Sequence, residues 1–253
     1  AETPTPPNLL LTKPTNCCLR LVNSTQSFQR CIKIWRLSIA NALYGLGCAL
    51  LQIGAWEESV EAYRLASLLE PDNARRASGW LYAASLSPTL SFEDVVRLHR
   101  EWGRKIEAST PVETLQPDLS VDRALRIGYV SPDLRGHATM QFLYPLLKAH
   151  DRSAFQLVMY SETVQEDETT NVVRMLGDEW CCTKALSNEQ LAAQIQADRV
   201  DILIDVAGHT ADNRLPVFAR KPAPVQVSFL GYPTTTGLSR IDYFLTDVIR
   251  EPG

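Results

Sequence analysis

The run DILIDVAGHT, Asp201 to Thr210, constrains the fold more than any other segment. Ile202 to Ala207 is apolar except for Asp205, rich in β-branched residues and closed by glycine. A run this short and this apolar reads as a strand covered on both faces. Such a strand belongs to a parallel sheet with helices packed above and below. The neighbouring segments fit that sheet. Leu125–Ser131, Phe155–Ser161, Pro224–Leu230 and Asp242–Thr246 read as further strands. Thr139–His150, Asn188–Ala197 and Asn213–Arg220 read as helices between them. Residues 124–253 therefore predict a Rossmann-like lobe, whose ligands belong at the carboxyl ends of the strands.

The first half has a different texture. Residues 31–108 are rich in Ala and Leu at helical spacing. One 34-residue unit, Ala40 to Asn73, places Leu43, Leu46, Gly47 and Leu50 on one helix and Ser59, Tyr63 and Ala66 on the next, with Pro71 closing it. These offsets match a tetratricopeptide hairpin, with Leu43 where Trp is usual and Ser59 where Ala is usual. A plain helical hairpin is the other reading. A single unit cannot cover its own faces, so it caps the next domain or belongs to a longer array. Ser78 to Ile106 predicts two more helices, the second N-capped by Ser91. Residues 1–30 read as an irregular segment, and 109–123, with its prolines and lack of periodicity, as a linker.

Net charge is −4 with a pI near 5.6, which gives no electrostatic claim on nucleic acid or anionic membrane. No uninterrupted run approaches the ~20 apolar residues of a membrane span. Six cysteines, Cys17, Cys18, Cys31, Cys48, Cys181 and Cys182, include no C-x-x-C pair. They predict reduced thiols in a cytoplasmic protein, the two vicinal pairs being packing residues. The sequence has no G-x-G-x-x-G, P-loop, G-x-S-x-G or H-E-x-x-H motif, so standard dinucleotide, ATP, hydrolase and zinc sites are not expected.

Two loops leave strand ends with unusual chemistry: SPDLRGHAT after the first strand and GHTADNR after the third. His137 and His209 are expected to face one crevice. There an imidazole can take a proton from an attacking hydroxyl, and helix N-termini can meet an anion. The plainer reading, that each histidine caps a helix or satisfies a loop carbonyl, stands beside it. His99 and His150 get only a structural reading.

RIGYVSPDLRGHATMQFL and DILIDVAGHTADNRLPVFARKPAPVQVSFLGYPTTTGLSRIDYFLTD resemble the N-terminal catalytic lobe of the O-GlcNAc transferase/SPINDLY family. The resemblance spans roughly residues 40–253. It implies tetratricopeptide helices followed by the N-terminal half of a GT-B fold. The implied reaction is metal-independent, inverting transfer of a sugar from UDP-GlcNAc or GDP-fucose to Ser or Thr of acceptor proteins, which the helices recruit. No cofactor is implied beyond the donor. By the family pattern, His137 is the histidine once proposed as base, with Thr139 beside it. His209, Thr210, Asn213 and Arg214 match a second cleft loop. Gly231, Tyr232, Pro233, Thr234, Thr235, Thr236 and Gly237 match the loop on the sugar side. Lys221 stands where relatives carry Arg. The family's second lobe, about 150 further residues, holds most donor contacts, so this chain alone is expected to bind nucleotide-sugar weakly and not turn over. A non-catalytic tetratricopeptide module with a Rossmann remnant is the competing reading.

Overall fold

The computed structural model describes residues 25–112, 114, 118, 120 and 122–246. Cys17, Cys18, Asp247 and most of the predicted irregular segment lie outside them. Four helices open the described chain: α1 (Thr25–Gln52), α2 (Trp56–Leu69), α3 (Ala74–Leu86) and α4 (Phe92–Ser109). Then β1 (Leu125–Ser131), α5 (Ala138–Ala149), β2 (Phe155–Ser161), α6 (Glu168–Leu176), β3 (Glu179–Cys182), α7 (Asn188–Ala197), β4 (Ile202–Asp205), α8 (Leu215–Phe218), β5 (Val225–Phe229) and β6 (Tyr243–Leu245) alternate. The first helix starts at Thr25, inside the segment expected to be irregular.

The tetratricopeptide spacing has a packing cause. A Cβ on Gly47 would lie 2.8 Å from the Tyr63 ring, and one on Gly79 would lie 2.7 Å from the Tyr44 ring and 2.9 Å from Tyr63. Tyr63 of α2 is thus wedged between glycines of the two flanking helices, α1 and α3. The unusual Ser59 is buried and donates to the Gly47 carbonyl at 2.8 Å, tying α2 to α1. By length and mean hydropathy (1.3), Phe28–Gln52 is long and apolar enough to cross a bilayer, a property that a search for uninterrupted runs passes over. Ala40 and Gly47 are buried in the bundle, whereas Trp35 is 71% exposed.

The sheet is parallel throughout, in the order β3-β2-β1-β4-β5-β6. Alternate residues feed opposite faces, as the two-residue strand period requires. Val130, Val158 and Leu203 join Leu191, Ile195 and Phe218 under α7 and α8. Tyr129, Met159 and Ile204 join Leu143, Leu147 and Val173 under α5 and α6. The order reverses between β1 and β4, so the chain leaves these neighbours in opposite directions and opens a crevice at their carboxyl ends.

The helical layer is built onto this lobe. α4 lies so close to the 236–240 loop that a Cβ on Gly103 would sit 1.9 Å from the Gly237 carbonyl oxygen. One on Gly237, which has φ +80, would sit 2.0 Å from the His99 carbonyl oxygen. Glu107 accepts from the Ser239 hydroxyl at 2.7 Å and the Arg240 backbone N–H at 2.9 Å. Arg240 in turn donates to the Glu107 and Thr110 carbonyls at the end of α4, each at 3.0 Å. At the other end of the linker, Arg123 grips Asp201 with two hydrogen bonds, at 2.6 and 2.7 Å. Lys221 donates to the Arg240 carbonyl and to Asp242, so its charge serves this seam.

Gly103→Ala forces the helix and loop apart against backbone rather than a movable side chain. We expect a loss of roughly 2 kcal/mol or more in urea unfolding. Wild-type stability in this variant would show that the seam is looser than described.

Candidate functional site

A hollow of about 1120 Å³ lies between the helical layer and the carboxyl rim of the sheet. Tyr44, Tyr63, Tyr82, Arg75 and Ser78 line it from the helices. Asp133, His137, Thr210, Asn213, Arg214, Gly231 and Pro233 line it from the lobe. Another hollow, beside Arg126 and Asp198, sits at the opposite, amino ends of the strands, away from both histidine loops.

His137 is exposed and is the N-cap of α5. Its Nδ1 accepts from the Thr139 backbone N–H at 3.3 Å and lies 3.0 Å from Thr139 Oγ1. A nitrogen that accepts carries no proton, so the neutral ring presents Nε2–H to the crevice. The loop is held from behind by Asp167, which caps α6 and accepts from Gly136 N–H at 2.7 Å. Those backbone bonds hold the Asp167 carboxyl below its usual range.

His209 is placed differently from expectation. Its loop does leave β4 at the same rim, but the ring turns under the helices and is 1% exposed. Nδ1 accepts from the Ser78 hydroxyl at 3.0 Å, and Nε2–H donates to the Thr236 carbonyl at 2.9 Å. Trp102, His99 and Tyr232 surround it edge-on at centroid distances of 4.7, 5.0 and 5.4 Å. Burial, helped by the neighbouring His99, drives its pKa down to about 3. Both nitrogens are engaged, so the ring presents no free nitrogen to the hollow whose wall it joins. It is a structural joint.

The sugar-side loop divides between the hollow and the helical layer. Gly231 and Pro233 face the hollow. Tyr232 is buried, its hydroxyl 2.7 Å from His99 Nε2. Since His99 Nδ1 meets the Val95 carbonyl at 2.6 Å, that nitrogen donates and Nε2 accepts from the tyrosine. Thr236 is buried and supplies the carbonyl for His209. Thr235 Oγ1 accepts from Gly237 N–H at 3.1 Å, and Thr234 Oγ1 is buried without a partner. Tyr232 and Thr236 therefore dock the helices, while Gly231 and Pro233 stay on the hollow.

Asn213 bridges both sides, donating to Ser78 Oγ at 3.1 Å and the Thr210 carbonyl at 2.8 Å. Thr210 donates to the Ala207 carbonyl at 2.9 Å. Arg214 is consumed by the Glu162 carboxylate (2.8 and 2.9 Å), the Thr183 carbonyl and Asn188. Its guanidinium shapes the cleft wall and leaves little for a ligand.

Three acids that sequence reasoning passed over support the loops, Glu162, Asp167 and Asp205, and a fourth, Asp133, lines the hollow. Asp205 is buried under the turn after β4, accepting from Ala207 and Gly208 N–H and the Ser228 hydroxyl. Burial raises its pKa to about 6. It fixes Gly208, whose φ of +56 and contact with Tyr232 leave no room for a Cβ. Its position inside the apolar run was the available signal. Among the described residues, no three His, Cys, Asp or Glu side chains converge as a metal site would need.

Residues 105–253 match the model of glycosyl transferase family 41, and the chain belongs to that family. The SPINDLY protein of Oryza sativa subsp. japonica is 36% identical over 198 residues, covering 76% of this chain and 21% of that protein. An enzyme of Caenorhabditis elegans, named a UDP-N-acetylglucosamine–peptide N-acetylglucosaminyltransferase, is 38% identical over 132 residues, 51% of this chain and 11% of its own. The solved O-GlcNAc transferase of Thermobaculum terrenum superposes with a TM-score of 0.77 at 36% identity, covering 82% of this chain and 40% of that one. The chain spans about a fifth of the length of its SPINDLY relatives.

The buried histidine and aspartate give opposite pH signatures. His209 is depressed from about 6.5 to about 3. Its stabilisation is present above 6.5 and is lost as pH falls through that window, on the order of 4 kcal/mol. Asp205 is raised from 3.8 to about 6, so its ionisation costs on the order of 3 kcal/mol as pH rises through that interval. The two oppose each other between pH 6 and 4. Urea unfolding across this range should show a steeper acid loss in Asp205→Asn and a flatter one in His209→Gln. Parallel curves for all three proteins would refute the assignment.

Proposed function

We propose that the protein transfers a sugar from a nucleotide-sugar donor to Ser or Thr hydroxyls of acceptor proteins, GlcNAc from UDP-GlcNAc being the first choice. Membership of glycosyl transferase family 41 is the observation that carries this reading. The rice and nematode relatives are both named for GlcNAc transfer to peptides. The geometry is consistent with it. A large hollow opens at the switch point of a parallel sheet, with an exposed histidine at a helix N-terminus on its rim.

The reaction needs no resident cofactor on this reading. The acceptor oxygen attacks the anomeric carbon, the bond to the leaving phosphate breaks, and the diphosphate departs with the electron pair. Tyr44, Tyr82 and Arg75 form the helical wall across from His137. They are placed to hold an acceptor chain while its hydroxyl enters the crevice, which gives the hairpins a recruiting role. The four described cysteines are free thiols, which fits a reducing compartment and supports a cytoplasmic location.

The test uses the full-length protein with radiolabelled UDP-GlcNAc or GDP-fucose and protein acceptors. Label from UDP-GlcNAc on Ser or Thr is the expected result. Stronger labelling from GDP-fucose would move the donor assignment to fucose. No labelling from either, by a folded protein, would leave the non-catalytic interaction module.

A further inference from the structure

We propose that Asp133, not His137, takes the proton from the acceptor hydroxyl. This rests on the glycosyl-transfer reading and names the base within the same cleft.

The inference comes from accounting for the proton acceptors around the hollow. His137 Nδ1 is occupied by the Thr139 N–H, and Nε2 carries the proton of the neutral ring. His209 has both nitrogens bonded. Glu162 is held by Arg214 and Thr183. Asp212 is exposed, and its charge is dispersed into water. Asp133 remains. Its side chain is only 13% exposed, yet among the described residues none donates a hydrogen bond to its carboxylate. The nearest nitrogens are His137 Nδ1 at 3.7 Å and the Arg135 guanidinium at 3.8 Å, both beyond hydrogen-bonding reach.

No protein donor occupies the carboxylate, so an acceptor hydroxyl in the hollow can bond to it directly. Burial raises the carboxyl's proton affinity, Asp212 from the loop after β4 adds to it, and Arg135 on its own loop opposes it, as His137 does when protonated. A base needs this kind of bias. The loop position is fixed from below, since Asp133 N–H donates to Ser131 Oγ at 3.0 Å. In the step, the hydroxyl oxygen bonds to the anomeric carbon, the bond to phosphate breaks, and the hydroxyl proton passes to an Asp133 carboxylate oxygen. His137 Nε2–H donates a hydrogen bond to the sugar or leaving oxygens.

The test is transfer by the full-length protein from UDP-GlcNAc to a pool of Ser/Thr peptides. Asp133→Asn keeps the shape and should lower kcat about 100-fold or more, with donor KM within a few-fold. The acid limb of the pH–rate profile should vanish with it. Asp133→Ala should regain activity when formate is added, which a purely structural role would not allow. His137→Gln should lose less than Asp133→Asn. An Asn variant with more than a tenth of wild-type kcat, or an Ala variant indifferent to formate while correctly folded, overturns the assignment. If Ala fails to fold, the Asn variant decides alone. No transfer by the wild-type protein sinks the glycosyl-transfer reading and this assignment together. Transfer by wild type with an unaffected Asn variant sinks only this one.

Discussion

The structure depends on the seam where α3 and α4 meet the loops leaving β4 and β5. Two glycine backbones approach there to a separation that no side chain could enter. Around them the polar groups close into a satisfied network: Ser78 to His209, His209 to Thr236, Tyr232 to His99, His99 to Val95. Buried polar groups of this kind are costly when one partner is missing and cohesive when none is. The seam therefore defines one arrangement of helices on sheet. It does so with side chains from the same loops that border the cleft.

This explains how one short loop can be both rim and joint. The turn after β4 needs Asp205 beneath it to hold Gly208, and Gly208 brings His209 under the helices. Thr210 and Asn213 are left on the cleft side. The loop after β1 is built the opposite way. It is braced by Asp167 from the next helix, and its histidine stays in the open. Two similar Gly-His sequences at neighbouring strand ends thus do different work. The difference comes from what packs above each.

Much of the scaffold was legible from residues alone. Leu125–Ser131 and Phe155–Ser161 are strands with the expected ends, because apolar runs bounded by polar residues leave little choice. The helix Asn188–Ala197 has its expected ends, and α4 starts directly after its expected cap, Ser91. α6 and β3 were passed over. Glu179–Cys182 is a short edge strand with no apolar run, and the capping box of α6 uses Asp167 and Thr170 rather than the commoner Ser/Thr and Glu. The family resemblance located the cleft loops but not the direction of their side chains. That His209 is buried depends on Ser78, 131 residues earlier in the chain, and no local pattern carries such information. Asp133 was hidden for a similar reason, since a lack of hydrogen-bond donors is a property of space and not of sequence.

The Ser78 contact also bears on how such proteins can be recombined. Its hydroxyl joins His209 and Asn213, so α3 is physically part of the α/β lobe's wall although it is helical in character. No modular boundary therefore falls at the stretch after α4, and α3 is equally tied to α2, where Gly79 packs against the Tyr63 ring. A chimera joined at that stretch would separate the two halves of one hydrogen-bonded unit. One joined before Asn73 would keep that unit but part Gly79 from Tyr63 and Arg76 from Glu70.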